Sequence, residues 1–518
     1  MSPIVAHLAS AHTLLLKGGR DPEAVAVLLE AWRAHPHPEI AKAIDLVSHR
    51  IEEAQDPIVD SPAAWAAVEP SRRPEDFGRL AARLVTKIPW ETRKRLNKLL
   101  EWPDDPRLSA LVVRLLREVA FTSEELYTVL FQWLDGVNDP TVLEPIRRLP
   151  QHWKQILHDG HYQRWLPEQL GARLPALEQH LGAGPAEFTP EERSACQALG
   201  PLLEPIAAAA KQGDELLDAI FDNPEDDGVR LVYADWLIER GDPRGEFIHI
   251  QYKRRDRGLS PTEEKHEKAL LKKHLHTWLG PDLARAVDPK QGLCFERGFP
   301  IKIELEESHP NLLGCRAFTT VEEIALSGGT RDSAIFLHPV LARLRALRSV
   351  SGQYLMKLMT SRLPMGIVIL GGDDWLLNDT TFARMREVMP RLREVEFGGE
   401  PRDVATIVKS SLGQQLTRAT VRCEKFQCDI GLARAPGAPR WTLRASSDAE
   451  SHGRADADAQ FVRGVVDVLR ALGPVLDRIE IVPHARLSDA LCRRLVEASG
   501  RHAHLDPLMV EPSEPQRS

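Results

Sequence analysis

The sequence predicts an α+β multidomain chain: a helical N-terminal half, a central helical module and a C-terminal α/β repeat array. Three observations predict it. Before Phe299 the apolar residues recur at helical spacing between Asp-Pro and Gly punctuation. Phe299, Ile301, Ile303 and Leu305 then alternate with polar partners, the first clear period of two. Beyond them a Leu-x-x-Leu-x-Leu template recurs to the end of the chain.

Residues 1–54 read as a helical bundle, with helices Ile4 to Leu16, Glu23 to Ala34 and Glu39 to Ile51. His35 and His37 lie in the Pro-rich turn between the last two and read as solvated. Gln55 to Pro74 carries four prolines and little periodicity, and is expected to be a linker. Residues 75–212 form a second helical block. Asp105-Pro106 and Asp139-Pro140 each supply a cap followed by a proline at the first helical position. They stand 34 residues apart, a spacing that suits stacked hairpins of the HEAT or tetratricopeptide type. Trp133, Trp153, Tyr162 and Trp165 are read as core packing rather than a peptide groove.

The densest local signals lie in DELLDAIFDNPEDDGVRLVYADWLIERGDPRGEFIHIQ, Asp214 to Gln251. Three short helices are expected. Asn223-Pro224 ends the first. Asp226-Asp227 caps the second, which ends on Gly241, and Asp242-Pro243 opens the third. Val229, Val232, Tyr233, Trp236 and Leu237 form one apolar stripe and Leu231, Ala234 and Ile238 another, so the second helix, Trp236 included, is expected to be enclosed. Asp235 and Glu239 lie one turn apart, a like-charge pair that Arg240 or Arg244 is expected to relieve. Such a pair suits acid–base work or a metal, but metal sites usually recruit His or Cys as well, and the salt-bridged hairpin is the reading adopted.

This stretch resembles the short bacterial repeat-companion domain, on Asp227, Arg230, Tyr233, Asp235, Trp236, Glu239, Arg240, Gly241, Asp242, Pro243, Arg244 and Gly245. The likeness fades through Trp278-Leu279-Gly280-Pro281 to Phe295-Glu296-Arg297-Gly298-Phe299, so the module is placed at 213–306. The resemblance implies a neighbouring repeat array and no assigned activity. Ser260-Pro261-Thr262-Glu263 is a capping box opening a further helix, on whose apolar face His274 reads as a satisfied core histidine.

Residues 307–518 are expected to form an irregular leucine-rich-repeat-like solenoid. The template matches Val321/Ile324/Leu326, Leu392/Val395/Phe397 and Leu476/Ile479/Ile481. Looser copies are Met365/Val368/Leu370, Leu416/Ala419/Val421, Leu344/Leu347 with Ser349 in the third slot, and Ala438/Trp441/Leu443. Most intervals fall in the 20–29 range of that repeat class, and the longest holds SSDAESHGRADADA, read as a surface insertion. Helices Thr380 to Val388 and Phe461 to Leu472 take the return side. Side chains alternate along a strand, so Glu394, Glu396, Arg418, Thr420, Arg422, Arg440, Thr442, Arg444, Arg478 and Glu480 should share an exposed, partner-binding face. Glu394 should pair with Arg418, whereas Arg418 should face Arg440 and Arg422 should face Arg444.

At 518 residues, 43% hydrophobic and 27% charged, the chain has the balance of a soluble protein of two to four domains. Its net charge of −8 is dispersed, which disfavours nucleic acid. No apolar run approaches a membrane span. Six scattered cysteines and a start without a basic run suggest a reducing cytoplasm. Cys423 and Cys428 are the one close pair, too few for a zinc site. The phosphate loop, the dinucleotide fingerprint, His-Glu-x-x-His and Gly-x-Ser-x-Gly are absent from the sequence. The expected function is therefore a non-enzymatic cytoplasmic scaffold or regulatory adaptor without a cofactor, binding other proteins and, through its arginines, an acidic or phosphorylated segment. The alternatives are an enzyme using Asp235/Glu239 or Asp373/Asp374, and a binder of phosphorylated or nucleic-acid ligands.

Overall fold

The computed structural model describes residues 2–59, 61–86, 88–121, 123–157, 161–182, 184, 186–287, 292–305, 315–327, 339–360, 364–373, 375–423, 428–447, 455–482, 488–499 and 509–510. The chain is mixed α/β and divides into two compact units. One comprises Met1–Ala286, Phe295–Phe299 and His309–Ala317; the other comprises Val287–Cys294, Pro300–Ser308 and Phe318–Ser518.

The first unit is helical almost throughout. Helices Pro3–Lys17, Asp21–Ala34 and Pro38–Ala54 form the N-terminal bundle. Their core also takes in Phe188, Cys196 and Leu199 from far along the sequence. The expected linker is in fact folded. Helix Pro62–Val68 lies within it, with Ile58 and Trp65 buried in the core of the next block and Trp65 Nε1 donating to Leu80 O. Asp105 caps helix Pro106–Arg117 through the Arg107 amide at 2.9 Å, and Asp139 caps a 3-10 turn that runs into helix Leu143–Ile156. Trp153 is fully buried and donates to Leu116 O, while Trp133, Tyr162 and Trp165 pack partly buried against the same core.

Helix Gly200–Asp222 runs unbroken through Gly213. Gly213 lies under the Trp236 ring, so it serves as a contact surface and not as a break. Helices Asp227–Glu239 and Pro243–Arg257 follow as predicted, capped by Asp226 and Asp242. They cross at Gly245, where a Cβ would lie 2.5 Å from Ala234 O. The Asp227–Glu239 helix is not enclosed: Val232 is 56% and Ile238 48% exposed, and Trp236 is half-buried. The Ser260/Glu263 capping box opens helix Pro261–Ala286 as expected, and His274 is buried against Trp278. The turn Arg297-Gly298 joins β1 (Cys294–Glu296) to β2 (Phe299–Leu305). Both turn residues have positive φ, the geometry of a tight hairpin turn.

The second unit is built on a mixed sheet whose strands follow in chain order. After β2 come β3 (Glu323–Leu326), β4 (Ala346–Ser351), β5 (Ile369–Asp373), β6 (Glu394–Gly398) and β7 (Arg418–Cys423), each parallel to the one before. Then β8 (Cys428–Ala433) runs antiparallel to both β7 and β9 (Trp441–Ser447), and β10 (Leu476–Val482) and β11 (Met509–Val510) resume parallel pairing. Helices such as Asp379–Val388 and Ala455–Leu472 fill the connections.

The register corrects three repeat copies. Leu370 stands beside Leu347 and Val395, so that copy is framed on Ile367, Leu370 and Gly372, two residues later than the sequence frame. Gly372 leaves the third slot empty, and the Trp375 ring closes over it, donating to Val350 O at 2.7 Å. In β4, Ser349 takes φ 55° at a register shift, and Val350 fills the slot assigned to Ser349. Leu443 and Ala445 align with Ile479 and Ile481, displacing the Ala438/Trp441/Leu443 frame by two as well. Of the expected insertion, Ser446 and Ser447 belong to β9 and residues from Ala455 onward to a helix; residues 448–454 lie outside the described residues, as does Asp374.

Candidate functional site

Asp227, Arg230 and Arg244, with Gln251, Tyr252 and Arg255, build a clasp around the Arg297-Gly298 turn. Asp227, in the first turn of its helix, accepts from Tyr252 Oη at 2.8 Å, Arg255 Nη1 at 2.7 Å and Arg297 Nη1 at 3.2 Å. Burial alone would raise its pKa, but hydrogen bonds from Arg255, Tyr252 and Arg297 outweigh it and bring the carboxyl down to about 2. Burial and then Asp227 push the Tyr252 phenol up. Arg230, almost wholly buried, donates to Pro224 O and Arg297 O and stacks on Phe299 at 4.7 Å. Arg244 covers Phe299 too, at 4.5 Å, and donates to Gly298 O. Gln251 accepts from the Gly298 amide and donates to Phe295 O. These charges pin a turn, with Arg244 Nε and Arg297 Nε left buried and without a hydrogen-bond partner.

Asp235 and Glu239 are both exposed. Neither Arg240 nor Arg244 relieves them, contrary to expectation. Asp235 pairs with His249 Nε2 at 2.9 Å, and Arg240 lies over the Trp236 ring at 4.1 Å. Tyr233 is buried and stacks on that indole, whose Nε1 donates to Gln212. Among the described residues no group of three or more His, Cys, Asp and Glu is placed to hold a metal. Cys423 and Cys428 face each other across β7 and β8, both buried and free.

The expected partner face of the sheet is organised differently from the sequence reading. Strand β8 stands between β7 and β9, so Arg418 does not face Arg440, nor Arg422 face Arg444. Arg418 lies opposite Ala433 and Arg422 opposite Asp429; Arg444 lies between Gly431 and Glu480. Arg440 falls just before β9. Glu394 does pair with Arg418, at 3.5 Å. The face carries an alternating ladder: Lys302 to Glu323 at 2.9 Å, Glu323 to Arg348 at 3.2 Å, Arg348 to Glu396 at 2.8 Å, and Glu396 to Arg422 at 3.1 Å. Arg348 reaches Glu396 over Gly371, where a Cβ would lie 3.5 Å from its Cδ. Arg478 pairs with Glu480 at 3.0 Å, whereas Arg440 and Arg444 are exposed and make no ion pair among the described residues.

A second surface, in the first unit, was missed in the sequence. Helix Pro89–Leu100 buries Glu91, Thr92, Arg95, Leu96 and Leu99, which leaves Trp90 65% exposed with Ile88, 46% exposed, beside it in sequence. Arg93, Lys94 and Asn97 share the exposed side. Just past its end, Arg72 holds Glu101, and Arg72, Trp102, Pro74, Leu29 and Arg33 line a cleft. Trp102 Nε1 is buried without a hydrogen-bond partner. The signal was available: PWETRKRLNKLL puts Trp90 on the polar side of its own apolar stripe.

The chain matches no family model, and neither a curated protein nor a solved structure is significantly similar to it.

Proposed function

We propose that the chain is a non-enzymatic adaptor that binds partner proteins. In this reading its N-terminal helices form a HEAT- or tetratricopeptide-like block, the clasped module is of the repeat-companion kind, and the sheet unit is an irregular leucine-rich-repeat-like solenoid. The observation that carries it is the sheet itself. Strands β2 to β7 stack parallel in chain order, each burying its aliphatic slots and turning charged alternate residues to one shared face. Extended repeat surfaces of this kind recognise proteins over many small contacts. Arg440 and Arg444, free of ion pairs among the described residues, favour an acidic or phosphorylated segment of the partner, which forked guanidinium groups bind well. The test is affinity capture from the native cell followed by mass spectrometry. Arg440→Glu with Arg444→Glu should remove the principal captured protein at an unchanged melting temperature. Undiminished capture at low salt removes this face from the reading.

A further inference from the structure

We propose that the exposed side of helix Pro89–Leu100, from Ile88 and Trp90 to the cleft at Trp102, docks an acidic segment of a partner protein that carries one apolar anchor residue. The proposal rests on the adaptor reading and names the chemistry of its partner at a separate surface.

The helix already buries a full stripe without Trp90, so the indole adds nothing to the fold's own core. A largely exposed tryptophan beside an exposed isoleucine and an arginine is the composition of an interface hot spot.

Trp90, Arg93, Lys94, Asn97 and Glu101 follow the i, i+3, i+4, i+7, i+11 spacing of one helical stripe. At 1.5 Å per residue the stripe runs about 16 Å from Trp90 to Glu101, where Arg72 and the cleft take over. An extended peptide covers that length in about five residues.

Arg93, Lys94, Lys98 and Arg72 stand along the stripe, against the carboxylates of Glu125 and Glu101 that they hold. Lys94 makes no ion pair among the described residues. Arg72 also meets Glu69 at 4.0 Å and Arg107 holds Asp105 of the cleft, so the stripe's excess positive charge lies at Lys94, in a chain whose net charge is −8. A local cationic stripe on an acidic protein suits a short acidic peptide better than a nucleic acid or an anionic membrane, which the remaining charge repels.

The cleft adds an apolar floor of Leu29, Pro74 and the Trp102 ring, suited to the anchor residue of the docked segment.

The experiment is a random 12-residue peptide-phage selection on the full chain, with depletion against Trp90→Ala. Enriched peptides should share at least three acidic residues and one large apolar residue. A selected synthetic peptide should lose tenfold or more in affinity with Trp90→Ala or Lys94→Glu, both exposed changes that leave the melt unaltered. Enrichment of neutral or basic peptides, no enrichment, or equal affinity for Trp90→Ala overturns the proposal. So does binding of vesicles containing phosphatidylserine in preference to any peptide. Because Arg440→Glu with Arg444→Glu leaves this stripe intact, native capture that survives or fails there reports on the adaptor reading separately.

Discussion

Replacing Asp227 by Asn tests the clasp through its charge. Its carboxyl sits at about 2 against an ordinary 3.8, a difference equivalent to about 2.4 kcal/mol at 1.36 kcal/mol per unit. The side chain is 37% exposed, so solvent screening reduces the realised stabilisation to roughly 1 kcal/mol. The sign follows from a depressed folded-state pKa. The stabilisation is complete above the unfolded value near 4 and is lost as pH falls through 4 toward 2, about half of it by pH 3. The assay compares melting of wild type and Asp227→Asn from pH 7 to pH 3; other carboxylates titrate in both and cancel in the difference. A gap of roughly 2–4 °C is expected at pH 7, narrowing below pH 4. A gap that stays constant to pH 3 refutes the argument, because it would mean that Asp227 acts through shape and not charge.

The fully buried Trp153 should cost about 3–5 kcal/mol on truncation to Ala, and the half-buried Trp236 roughly half as much; equal losses in chemical denaturation would contradict the difference in burial. Gly245→Ala pushes a methyl against Ala234 O and should lower stability by about 1–3 kcal/mol, read as a lower melting temperature; an unchanged melt would mean the crossing helices part freely. Arg348→Met leaves Glu323 and Glu396 without their shared cation and should cost about 1 kcal/mol in low salt, shrinking in 1 M NaCl; a salt-independent loss would assign the effect to packing instead.

What was legible in the sequence was local. The caps at Asp105, Asp139, Asp242 and Ser260 act within three residues of themselves, and each was found where its side chain and a following proline announced it. The repeat frame slipped at Gly372 and Ser349 because the slot-filling groups, Trp375 and Val350, come from outside the template. Strand β8 was overlooked because Cys428, Ile430 and Leu432 alternate without the template's first leucine. The predicted arginine pile-up therefore rested on an adjacency that does not exist. Trp90 was visible as a side chain, but its exposure depends on what the opposite stripe buries.

Strand β8 also bears on how the sheet unit assembles. Residues 399–417 separate β6 from β7, whereas only 424–427 separate β7 from β8. Closing the shorter span saves about 1.4 kcal/mol of chain entropy, and the β7–β8–β9 meander brings its strands together at low sequence separation. Such contacts form early in folding. Because two reversals restore the original strand direction, the meander presents correctly oriented edges on both flanks, to β6 and to β10. It is placed to act as an internal nucleus from which pairing spreads toward both ends of the sheet.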